Sequence, residues 1–108
     1  MRLIAEQTIL SMAQGILHGF PGAQVYLFGS YAYGRPGKHS DIDLAVIHED
    51  WLHPHEVARQ ARRLAGHVEI PKDVIAIPAA RFAVLSEMAG TLSYKIKHEG
   101  ILLHGSVV

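Results

Sequence analysis

The stretch Gly29-Ser30-Tyr31-Ala32-Tyr33-Gly34-Arg35-Pro36-Gly37-Lys38-His39-Ser40-Asp41-Ile42-Asp43 decides the reading of this chain. It joins two segments of strand character. Ala23–Phe28, just ahead of it, is rich in valine and aromatic residues, as a buried strand would be. Asp41–Ile47, at its end, alternates: Ile42, Leu44 and Val46 fall on one face, Asp41, Asp43 and Ala45 on the other. The glycines and proline between them predict a loop or a very short helix. Side chains two apart on a strand share a face and lie roughly 6.6 Å apart along it. Asp41 and Asp43 therefore project together. Such a pair repels itself unless a cation sits between, and it suits a hard divalent ion, most naturally Mg²⁺. The Gly29-Ser30 turn adds a place where backbone N–H groups can approach a phosphate, with the serine hydroxyl as a further donor. A strand-ending turn and a solvated polar edge are each commonplace alone. Together, at this spacing, they are the equipment for two-metal phosphoryl or nucleotidyl transfer.

Residues 3–20 carry Leu3, Ile9, Leu10, Ala13, Ile16, Leu17 and Phe20 at helical spacing, and Pro21-Gly22 ends the run. Pro54 and Glu56 suit a helix start, with Val57, Ala61, Leu64 and Ala65 as its buried stripe and Gly66 as its stop. Arg59, Arg62 and Arg63 fall on or near its outer face. A short β-branched strand, Val74–Ile77, is expected to begin near Asp73. Pro78 opens a helix to about Met88, Thr91 caps another to Glu99, and Ile101–Leu103 closes the chain as a strand. The order α-β-β-α-β-α-α-β predicts an α/β (α+β) domain, a small mixed sheet with helices packed mainly on one side.

The 108 residues amount to one domain, taken as 1–108. Hydrophobic residues at 49% and charged residues at 19% exclude a disordered chain. Ten Lys+Arg balance ten Asp+Glu, which argues against direct nucleic-acid binding through bulk charge. The absence of cysteine excludes a disulfide scaffold and a cysteine-ligated zinc site, and allows a cytoplasmic home. No apolar run approaches the ~20 residues of a membrane span, and Glu6, Gln7 and Gln14 argue against a cleaved signal peptide. There is no internal repeat, low-complexity tract or linker.

Gly-Ser, ten residues, then Asp-x-Asp resembles the signature of the polymerase-β-like nucleotidyltransferase superfamily. The Ser40-Asp41-Ile42-Asp43-Leu44 wording and the short chain are similar to its minimal nucleotidyltransferase (MNT) branch. Lys72-Asp73-Val74-Ile75 resembles the strand that carries that family's third carboxylate. Gly90-Thr91-Leu92-Ser93-Tyr94 and Glu99-Gly100-Ile101-Leu102-Leu103 resemble its C-terminal ending. The resemblance implies that Gly29 and Ser30 hold the triphosphate of ATP or another NTP. It implies that Asp41 and Asp43 ligate two Mg²⁺ ions, and that Asp73 ligates the catalytic metal and helps deprotonate an attacking hydroxyl. Glu69 is the rival for that third role. Where many members have arginine, this chain has Tyr33. Arg35, Lys38 or His39 could replace that cation, or Tyr33 could stack on the base. Gly29, Ser30, Tyr33, Arg35, Lys38 and Ser40 form the candidate nucleotide-binding set.

In the family such domains are commonly encoded beside a HEPN-domain protein, with the MNT member as antitoxin and the HEPN member as an RNase toxin. Several transfer AMP to a tyrosine of that partner, within a hetero-oligomer. Two other roles stay open: a binding module that neutralises a HEPN protein by contact alone, and a small-molecule transferase of the aminoglycoside-modifying kind. His48 and His53-x-His55 lack a further ligand set and are read as wet loop residues. Trp51 is expected to pack at a core margin, and Tyr26 and Tyr94 to be packing residues.

Overall fold

The computed structural model describes residues 2–34, 36–37, 40–67 and 70–104. The elements run α1 (Arg2–Gly19), β1 (Gln24–Phe28), β2 (Ile42–His48), α2 (Pro54–Leu64), β3 (Lys72–Pro78), α3 (Ala79–Leu85), α4 (Leu92–Glu99) and β4 (Ile101–His104). The expected order holds, with two shifts that bear on function. Asp41 lies just before β2 rather than on it, and β3 begins at Lys72, so Asp73 sits inside the strand.

The sheet order is β3-β2-β1-β4. β1 pairs antiparallel with β2 and β4, while β2 pairs parallel with β3. A parallel neighbour needs a crossover, and α2 supplies it. β1 and β2 are the interior strands, and helices pack on both of their faces. On one face Val25, Leu27, Ile42, Leu44 and Val46 pack with Ile9, Met12, Ala13 and Ile16 of α1 and Val57 and Ala61 of α2. Those α1 positions are spaced 3-1-3, one helical stripe. On the other face Tyr26, Ala45 and Ile47 pack with Phe82 of α3 and Ile96 of α4. The Tyr26 and Phe82 rings meet at 5.5 Å between centroids. The larger layer is therefore α1 and α2, and the shorter α3–α4 pair covers part of the opposite face.

α4 is fixed at its start by Thr91. Its hydroxyl oxygen accepts from the Tyr94 N–H at 3.1 Å and donates toward the Leu85 carbonyl at 2.7 Å. α3 borrows a cap from outside itself: Asp50 Oδ1 accepts from the Ala80 N–H at 2.8 Å. Three expectations fail. Leu10, placed in the buried stripe of α1, is 43% exposed, because the stripe passes through Met12 instead. Trp51, expected at a core margin, is 79% exposed. His48, expected to be wet, is buried at the end of β2, its Nδ1 against the Glu49 carbonyl at 2.9 Å. Among the described residues no helix is long and apolar enough to cross a membrane.

Candidate active site

The site is built where β1 ends and β2 and β3 begin. Antiparallel pairing sets Phe28 opposite Asp43, so the chain turns at Gly29 immediately beside the Asp43 carboxylate. Parallel pairing sets Asp43 directly opposite Asp73. Neighbouring strands lie about 4.8 Å apart, so these two carboxylates share one sheet face at close quarters. Leu44 and Val74, which follow them, point into the α1–α2 layer. Strand alternation therefore turns Asp43 and Asp73 to the opposite face, the one that α3 and α4 only partly cover.

Gly29 has φ +78°, a left-handed conformation that glycine adopts freely. A Cβ there would run into the Asp43 carboxylate, with its Cγ at 3.1 Å. Both properties bring the turn hard against the acid. The Gly29 carbonyl then accepts from the N–H groups of Ala32 at 3.0 Å and Tyr33 at 3.1 Å, winding residues 30–33 into a single turn. Ser40 is half-buried, and its hydroxyl oxygen accepts from the Gly37 N–H at 2.6 Å, which shapes the approach to Asp41. Asp41 itself is exposed. Arg35, Lys38 and His39, three candidates for the loop cation, and Glu69, the rival third acid, lie outside the described residues.

The electrostatics rank the three acids. Burial pushes the Asp43 carboxyl above its ordinary range, and the negative charges of Asp73 and then Asp41 push it further. Asp43 is the half-buried centre of the group; Asp73 is its stronger charged neighbour. Arg62 of α2 lies 3.7 Å from Asp73 Oδ1, with both side chains more than half exposed. An exposed pair of that length contributes about 0–1 kcal/mol. The sequence pattern placed Arg62 on a solvated face and gave no reason to bring it to Asp73. That required the β2–α2–β3 crossover.

Among the described residues, no three acidic or histidine side chains already converge to enclose an ion. Mg²⁺ commonly takes one or two carboxylates and fills its shell with waters and substrate phosphates. Oxygen donors only, a repelling acid pair and a glycine turn beside them are a donor set that suits Mg²⁺ with a polyphosphate. His53 and His55 stand away from this group at the far end of β2, their rings 5.6 Å apart.

The raised Asp43 carboxyl has a consequence for stability. A carboxyl whose pKa is higher folded than unfolded holds more protons in the folded state. Stability then falls as pH rises from the ordinary carboxylate range through the raised value. Asp43→Asn removes the charge. In chelator the variant should melt above wild type at about pH 7 and lose that advantage near about pH 4, where wild-type carboxyls protonate. Thermal unfolding followed by circular dichroism reads it; a wild type that melts higher at neutral pH would contradict the crowding of acids described here.

A glycine-led turn against carboxylates at one end of a mixed sheet is an arrangement suited to phosphoryl-group chemistry. The chain belongs to the nucleotidyltransferase domain family, which matches residues 11–104, and its architecture is the expected polymerase-β-like nucleotidyltransferase fold. A solved structure described as a toxin-antitoxin with AMP-PNP is similar to it. The two share 27% identity and a TM-score of 0.53, over 89% of this chain and 73% of that one. No curated protein matches the chain.

Proposed function

We propose that this nucleotidyltransferase is the MNT-type antitoxin of a toxin–antitoxin pair, moving AMP from ATP to a hydroxyl on its toxin, a tyrosine of a HEPN-domain protein, in the cytoplasm. The observation that carries the reading is the register of Asp43 against Asp73 beside the Gly29 turn. Support for the context comes from the similar toxin–antitoxin structure, solved with the ATP analogue AMP-PNP.

In this reading Gly29 and Ser30 hold the triphosphate, and Tyr33 and Ser40 border it. Asp41, Asp43 and Asp73 would hold the two Mg²⁺ ions with the phosphates. The ions, when bound, neutralise charge developing on the phosphorus oxygens and on the leaving group. Asp73 takes the proton from the attacking hydroxyl. A new O–P bond forms at the α-phosphorus as the bond to the β-phosphate oxygen breaks, and pyrophosphate leaves. Asp73 suits the proton step because it is exposed to an incoming acceptor, whereas Asp43 is half-buried under the turn.

Tyr33 in place of the family arginine favours a second reading, neutralisation of the toxin by contact alone. One experiment separates the two. The protein is co-purified with the product of the neighbouring reading frame, and ATP and Mg²⁺ are added. The partner should gain whole AMP units by intact mass, on tyrosine by fragmentation. A silenced toxin with unchanged mass would leave binding alone as the explanation.

A further inference from the structure

The carboxylates create a deficit of positive charge at the place where a polyphosphate is to sit. Among the described residues two cations contact a side chain of the site. Arg62 is turned to Asp73. The other is Lys95 of α4, whose Nζ lies 5.4 Å from the centroid of the Tyr33 ring. That distance is within the range of a cation–π contact, which is weak at an exposed site. Its value here is positional. The Tyr33 N–H donates to the Gly29 carbonyl, so the ring is tied to the same turn as Gly29 and Ser30. Lys95 is tied from the other side. The next residue, Ile96, is fully buried against Tyr26, Ala45 and Ile47, and Thr91 caps the helix one turn earlier. Among the described residues no carboxylate pairs with Lys95. A lysine on an anchored helix, without an acidic partner, thus leans over the ring that stands in the arginine's place.

We propose that Lys95, held against Tyr33, supplies the cation for the terminal phosphates of the nucleotide at the Gly29-Ser30 turn. A flexible four-carbon stem lets the ammonium leave the ring face and meet phosphate oxygens, and a lysine serves phosphate as a point charge. The inference rests on the reading of this site as a nucleoside triphosphate site. It adds a residue from a distant helix, and it gives Tyr33 a role: the ring keeps the lysine at the mouth of the site before nucleotide arrives.

Calorimetry with Mg²⁺ and AMP-PNP tests it, with AMP as the second ligand. Lys95→Met keeps most of the stem and removes the charge. It should weaken AMP-PNP by about tenfold, as for loss of a charge-assisted phosphate contact, and leave AMP nearly unchanged. Lys95→Arg should restore the affinity. Wild-type affinity should fall more steeply with salt than that of Lys95→Met. Tyr33→Leu should weaken AMP-PNP in the wild-type background and add little on top of Lys95→Met, because the two act as one unit. Circular dichroism confirms that each variant is folded. If wild type binds AMP-PNP and Lys95→Met binds it equally well, this inference is overturned and the site reading stands. If wild type binds no AMP-PNP even with Mg²⁺, both fall.

Discussion

An Asp73→Asn variant is expected to transfer AMP roughly 10²–10⁴-fold more slowly than wild type, the usual contribution of a positioned general base, with loss of a metal ligand adding to that. The substitution keeps the shape of the side chain and removes only its charge. Little else should change. Asp73 is more than half exposed, and its one ionic contact among the described residues, with Arg62 at 3.7 Å, contributes about 0–1 kcal/mol at such a surface position. Fold, melting temperature and complex formation with the toxin should therefore persist. Quantifying labelled AMP on the partner by intact mass reads the rate. A variant as fast as wild type would show that Asp73 has the wrong role and would move the assignment to Glu69.

Gly29→Ala is the second large effect, and its origin is steric. At φ +78° any side chain costs about 1–2 kcal/mol, and here the added methyl also meets the Asp43 carboxylate. The expected loss is roughly 2–3 kcal/mol, or a drop of about 8 °C or more in melting temperature for a domain of this size. Mg²⁺–nucleotide affinity should fall with it, since Asp43 must move. Gly34→Ala separates the two causes. Gly34 has nearly the same φ, +77°, but among the described residues nothing lies within 4 Å of an added Cβ. It should show only the conformational part. Equal losses at the two positions would mean that the turn does not press on Asp43.

What could be read from the sequence was what depends on near neighbours along the chain. Glycine and proline marked the ends of elements, and alternation of Ile42, Leu44 and Val46 against Asp43 gave the face of β2. Alternation placed Ala45 on the Asp43 face but gave no sign that it is fully buried there, because α3 and α4 fold back over it. A small apolar residue carries no sign of which layer will cover it. The sequence spacing paired Asp41 with Asp43. In the structure Asp41 precedes the strand, and the stronger charged neighbour of Asp43 is Asp73, which comes through the parallel ladder. Such a pairing depends on register, and register is set by a crossover helix rather than by local pattern. Lys95 was invisible for the same reason: nothing around it in the chain hints that α4 will stand beside Tyr33. Trp51 was misjudged because burial of a tryptophan is a tendency of composition, and the β2–α2 connection leaves it in solvent.

Asp43 and its neighbours are expected to bind nucleotide only together with a divalent cation. Calorimetric titration of the wild-type protein with AMP-PNP, in Mg²⁺ and again in excess chelator, tests it most directly. The acids repel one another and would repel a bare triphosphate, so binding should be seen with Mg²⁺ and be lost in chelator. Equal affinity under the two conditions would contradict the account.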